Sequence, residues 1–128
     1  MPTKVQTIDL YSGVADASGD ATANSNVVKG NILAIGVVYD ASSHGNTDVV
    51  VTAKIGASTQ TVLTLTDKNT SGVFYPRAYA EETTGTDLTY DGTYKIPIKF
   101  PVDGLLTITI ADQTAGKAVR IYVTMEVF

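Results

Sequence analysis

The sequence predicts an all-β domain: a two-sheet antiparallel sandwich or barrel of jelly-roll or Ig-like connectivity, with about 7–8 strands and little or no helix. Three observations carry that prediction. Apolar residues recur with a period of two in most segments, the repeat of a strand that buries one face. Turn signals punctuate the chain at Ser18-Gly19-Asp20, His44-Gly45-Asn46, Gly56, Asp91-Gly92, Asp103-Gly104 and Ala115-Gly116. No stretch shows a 3.6-residue period bounded by caps.

Taken in order, KVQTIDLY near the N-terminus reads as a strand with mixed faces, so residues 1–29 are expected to supply an N-terminal arm or edge strand. NILAIGVVYD, from Asn31 to Asp40, is apolar on both faces, as in a central strand covered on both sides or one that faces a partner subunit. In TDVVVTAKI, Val49, Val51, Ala53 and Ile55 share a face against Asp48, Thr52 and Lys54. Leu63 and Leu65 oppose Thr64 and Thr66 in the next run. The stretch from Asp67 to Asp91 breaks the pattern, and structureless loops longer than about 12–15 residues are either functional or disordered. This one is too aromatic for disorder.

TYKIPIKF then alternates Tyr94, Ile96, Ile98 and Phe100 against Lys95, Pro97 and Lys99. Because Pro97 has no N–H to give a ladder, that strand is expected at an edge. Leu106, Ile108 and Ile110 oppose Thr107 and Thr109. In the last run Val119, Ile121, Val123, Met125 and Val127 oppose Arg120, Tyr122, Thr124 and Glu126, a strand expected to close the sheet.

A length of 128 residues fits one domain, 1–128, with a core of its own. A hydrophobic share of 44% against 17% charged residues excludes the disordered class. The net charge of -4 argues against a nucleic-acid partner, which needs a basic face to release counterions. With no cysteine there are no disulfides, thiolate nucleophiles or zinc fingers. The longest apolar run, Ile32 to Val38, is far short of a membrane span, and no secretory leader is visible, so a soluble chain made in a cytoplasm is expected, with no membrane partner.

The chemistry-bearing residues do not assemble into a reaction. His44, the sole histidine, sits with Ser42 and Asp48 in one polar turn, whereas triads are assembled across a fold. Asp16, Ser18 and Asp20 have the opening spacing of a calcium loop, but Val27 stands where the bidentate glutamate would fall. Glu81 and Glu82 are adjacent and so point to opposite faces of a strand. Catalytic, cofactor-binding and metal-binding residues are therefore all expected to be absent.

What stands out is NTSGVFYPRAY, residues 69–79. Three readings of it stay open. Phe74, Tyr75 and Tyr79, with Tyr90 and Tyr94, can stack on sugar rings; the same aromatics with Arg77 can anchor a protein interface; or they form a lid on the core, with Pro76 fixing a turn and Arg77 pairing with a carboxylate. The interface candidates are Phe74, Tyr75, Arg77 and Tyr79, joined by Leu10 and Tyr11 of the N-terminal segment.

The runs TDVVVTAKIG, TVLTLTDKNTSGVFYPRAYA and TGTDLTYDGTYKIPIKFPVDGLLTITIAD, with Thr47-Asp48-Val49, Tyr75-Pro76-Arg77 and Pro101-Val102-Asp103 within or beside them, resemble small β-proteins of tailed-bacteriophage virions, in particular capsid decoration (cement) proteins. The likeness extends from Gly30 to Val127 and leaves most of the N-terminal segment outside it. The resemblance implies a non-enzymatic structural subunit of the virion, bound to the major capsid protein on the capsid surface, associating with copies of itself, often as a trimer. It carries no catalytic residues. The alternatives are a carbohydrate- or receptor-binding module and a neck or tail component.

Overall fold

The structure, a computed structural model, describes residues 4–89 and 91–127. The expectation of an all-β chain holds: eleven strands and no helix occur among the described residues. They are β1 (Lys4–Tyr11), β2 (Ala21–Asn24), β3 (Val28–Tyr39), β4 (Asp48–Ile55), β5 (Ser58–Leu65), β6 (Gly72–Phe74), β7 (Ala78–Tyr79), β8 (Pro97–Ile98), β9 (Phe100–Gly104), β10 (Leu106–Ala111) and β11 (Val119–Val127). Nine form one sheet ordered β1-β11-β3-β9-β4-β10-β2, with β5 beside β4 and β6 beside β3; β7 and β8 make a separate two-stranded sheet.

The large sheet curls. Its end strands, β1 and β2, line opposite sides of a groove of about 320 Å³ between Gln6, Ile8 and Leu10 on one side and Asn24, Asn26 and Val28 on the other. The bend comes where β9 runs into β10 across Leu105: β9 pairs with β3, whereas β10 pairs with β4 and β2. Gly104, at φ 152, turns that corner with its α-carbon so close to Lys54 that an added Cβ would lie 2.7 Å from the lysine Cβ. Inward-facing Ile32, Ile35, Val37, Val49, Val51, Leu106, Ile108, Ile110, Ile121, Val123 and Met125 fill the concavity, each at most 1% exposed.

Four expectations need correction. The sheet is mixed, because β4 meets β9 in parallel at Ile55 and Asp103, where the chain returns after the bend. The last strand does not close the sheet: β11 lies inside it, between β1 and β3, and β1 is the edge. The 67–91 stretch has structure of its own, since β6 adds to β3 and β7 pairs with β8. The alternation from Tyr94 to Phe100 is not one buried face either. Phe100 is buried, but Tyr94 and Ile98 are 60% and 43% exposed, because that part of the chain pairs with β7 and residues 88–89 and not with the large sheet.

Strand β3 organises the site. One of its edges pairs with β11 from Gly30 to Tyr39; the other is shared between β9, along Val28 to Ile32, and β6, along Ile35 to Val37. The β11 register slips at Thr124/Met125, so that Ala34 and Ile32 are paired and Leu33 is the extra, bulged residue. This slip buries both Ile32 and Ile35.

The core contains one polar orphan. Tyr39, 7% exposed, has a buried hydroxyl with no hydrogen-bond partner among the described residues, and burial raises its phenol pKa. Since an unpaired buried hydroxyl costs about 1–3 kcal/mol, Tyr39→Phe is expected to stabilise the fold by about 1 kcal/mol. Chemical denaturation reads this directly; a lower midpoint in the variant would mean that the hydroxyl is paired.

Candidate interaction surface

Successive residues of a strand point to opposite sides, so the buried positions of β1, β11, β3 and β6 fix which residues face outward. Across this outer face, Tyr11 lies beside Arg120, which lies beside Val38. The next row holds Asp9, Tyr122, Gly36 and Val73. Below it stand Thr7, Thr124 and Ala34, then Val5, Glu126 and Asn31. Tyr75 continues the outward parity of Val73 just beyond β6. Val5, Tyr11, Val38, Val73 and Tyr75 are 71%, 46%, 47%, 58% and 68% exposed, which makes this face the apolar one.

The opposite outer face is different in kind. On β2, β10, β4 and β5 the rows read Thr22, Thr109, Val50, Thr64 and Asn24, Thr107, Thr52, Thr61. Thr107 Oγ1 there donates to Asn24 Oδ1 at 2.7 Å.

Charges on the apolar face are paired within it or at its rim. The Arg120 guanidinium stacks 4.6 Å from the Tyr11 ring centre, and its Nε lies 3.7 Å from Asp9 Oδ1. A hydrogen bond with Tyr122, then the Asp9 charge, raise its pKa further. At the rim, Lys99 Nζ donates to Glu126 Oε1 at 2.8 Å, and chiefly this bond lowers the Glu126 pKa. Covering this face with a partner therefore leaves few charges without a counter-ion.

The sequence-derived candidates fall in three places. Phe74 is half-buried, packed against the core opposite Ile35, while Tyr75 beside it is exposed. Arg77 does not pair with a carboxylate. Its Nη1 donates to the carbonyls of Leu33 at 3.0 Å and Pro76 at 2.8 Å. Leu33 is the bulge residue, so the guanidinium satisfies a carbonyl that neither ladder uses. Tyr79 lies apart in the small sheet with the Lys95 ammonium 5.1 Å from its ring centre; Lys95 in turn pairs with Asp87 at 2.9 Å.

Leu10 is 4% exposed and belongs to the core, whereas Tyr11, the next residue, faces out. Tyr90 lies outside the described residues. Sequence reasoning missed Val5, Val38 and Val73, which single strands present as ordinary outward positions and only the register gathers.

The other polar clusters are engaged in local structure. His44 is exposed, and its Nδ1 accepts from the Asn46 N–H at 3.0 Å. Asp16 Oδ1 accepts from the N–H groups of Ser18 and Asp20 at 2.9 and 3.0 Å, a turn rather than a cation loop. Among the described residues no group of three or more acidic, His or Cys side chains converges on a metal-sized site. Comparison of the chain with family models, with curated proteins and with solved structures gives no match.

Proposed function

We propose that this chain is a non-enzymatic structural subunit of a tailed-phage virion that docks on the capsid shell through the outer face of β1, β11, β3 and β6. In this reading the two halves of the curled sheet act as the layers of a stiff sandwich. The apolar layer turns toward the shell and the threonine-coated layer toward solvent. The observation that carries the reading is the contrast between these faces: five exposed apolar or aromatic side chains gather on one, and hydroxyls cover the other. The sequence resemblance supplies the capsid as partner. Binding to the shell subunits stabilises them by linkage, and many copies multiply a modest interface through avidity.

Carbohydrate stacking is the weaker reading. Of its candidate rings, Phe74 is half-buried against the core and Tyr79 already has a cation over one face, so neither offers the flat, open ring that stacking on a sugar uses.

Co-sedimentation with undecorated capsids tests the proposal. Saturable binding is expected, and Tyr75→Ala should weaken it by about 2 kcal/mol, the scale of an aromatic hot spot, with unfolding unchanged because the side chain is exposed. Arg77→Ala should act indirectly, by freeing the Leu33 carbonyl and shifting the Tyr75 segment. Capsids that leave the protein in the supernatant, or a glycan that binds it saturably, would overturn the proposal.

A further inference from the structure

The edge of the large sheet carries a second partner site. Strand β1 is eight residues long, contains no proline or bulge, and pairs only with β11. The Ser12 N–H donates to Val119 O at 3.3 Å, and the β1–β11 register runs without a slip from there to Lys4. Alternation then directs the backbone groups of Leu10, Ile8, Gln6 and Lys4 toward β11. The N–H and C=O groups of Val5, Thr7, Asp9 and Tyr11 point away from the sheet, and no described residue pairs with them. An edge strand whose outward backbone groups are unpaired is a template for an added strand.

We infer that the added strand is β1 of a second copy, paired antiparallel about a two-fold axis at Ile8. The register follows from the side chains. An axis at Ile8 sets Val5 opposite the other copy's Tyr11 and Thr7 opposite the other copy's Asp9, so all four outward N–H groups and all four outward C=O groups of each copy are paired. Moving the axis to Thr7 sets exposed, apolar Val5 against the other copy's Asp9 carboxylate. Moving it to Asp9 sets two like charges face to face. Registers between these would set outward residues against inward ones.

The chosen register also matches both faces. On the outer side, exposed Val5 meets exposed Tyr11, and the Thr7 hydroxyl meets the Asp9 carboxylate. On the inner side, Ile8 meets Ile8 beside the groove of about 320 Å³ that Ile8 and Leu10 line.

Pairing joins the two apolar faces into one eight-strand platform about 34 Å across at the usual strand spacing. It yields a closed dimer rather than a trimer, because a two-fold contact uses the same edge on both copies. The inference rests on the β1 edge alone and stands apart from the capsid reading.

Sedimentation of the free protein over a range of concentrations is the test. A reversible monomer–dimer equilibrium is expected. Thr7→Pro removes an outward N–H without touching the β11 ladder, and should abolish the dimer while thermal unfolding of the monomer stays cooperative. The charge variants read the register. Thr7→Asp faces the other copy's Asp9 twice per dimer and should weaken association about tenfold. Thr7→Lys faces the same carboxylates and should preserve or tighten it. A monomer at all concentrations, a trimer, a dimer indifferent to Thr7→Pro, or an equal response to aspartate and lysine would each overturn the inference.

Discussion

Replacing Gly30 with alanine is expected to cost at least about 3 kcal/mol, enough to lower the melting temperature by on the order of 10 °C or to leave the chain unfolded. Gly30 has φ 156, and a Cβ built on it would overlap the Glu126 carbonyl oxygen and lie 2.9 Å from Glu126 C and 3.0 Å from Val127 Cα. All three are backbone atoms of β11, which cannot recede because β1 holds its other edge. No rotamer relieves such a contact, so β3 and β11 must separate where they begin to pair. Gly36→Ala is the matched control. Its Cβ would meet Tyr122 Cβ at 3.7 Å, ordinary contact, and little change in stability is expected. Thermal unfolding of the two variants side by side decides the matter. A Gly30→Ala protein as stable as the control would mean that the strands do not approach there as described.

The period of two placed most strands correctly because burial of one face is a local property of a strand. The residues expected inward in β4, β10 and β11, such as Val49, Val51, Ile108, Ile110, Ile121 and Val123, are the ones that fill the core. Which strand lies beside which is a different matter. β1 and β11 come from opposite ends of the chain, and no local pattern encodes that pairing. β3 shows the limit most clearly. Its apolar residues read as a strand covered on both sides or one that faces a partner subunit, and within this chain the outer side is not covered, since Val38 is 47% exposed there. The bulge at Leu33 explains the discrepancy, because a one-residue slip moves the buried set from Ile32 to Ile35, Val37 and Tyr39. A phase slip and a double-faced strand look alike in a sequence.

The same limit applied to the surface. The cluster around Phe74 and Tyr75 is visible because its residues are contiguous, but the apolar face that Tyr75 joins draws on four strands. Leu10 and Tyr11 were legible as an apolar pair and not as a buried and an exposed residue, since the parity of a mixed-face strand appears only once β11 is beside it. The role of Arg77 depended on the Leu33 bulge and was hidden with it. Gln113 gave no signal at all. A lone glutamine in the polar run Asp112 to Gly116 reads as a solvated turn residue.

Gln113→Ala is nevertheless expected to be about as damaging as the glycine substitution, at roughly 3 kcal/mol. The side chain is 5% exposed. Its Oε1 accepts from the N–H groups of His44 and Thr114, at 3.0 and 2.8 Å, and lies 3.2 Å from Thr47 Oγ1, whose proton the nearer His44 carbonyl also takes. Its Nε2 donates to Ser43 Oγ at 3.0 Å, while the Ser43 hydroxyl donates to Asp40 O at 2.7 Å. Asn69 Nδ2 donates to the Ser43 carbonyl at 2.9 Å and brings in a third loop. The Gln113 backbone adds a fourth, through its N–H to Gly19 O at 3.0 Å. Truncation removes the acceptor from two N–H donors, one of them on the 40–47 loop, strips Ser43 Oγ of its donor, and opens a gap that water reaches only partly, so part of the desolvation cost remains. The loss should appear first as local opening, with hydrogen exchange and proteolysis rising at residues 40–47 before the sheet unfolds. Asn46→Ala, an exposed change in the same loop that keeps the backbone bond to His44, should stay within about 0.5 kcal/mol of the parent. If the Gln113 variant matches Asn46→Ala in both stability and exchange, the loops are held by their backbone bonds alone and the glutamine is not their hub.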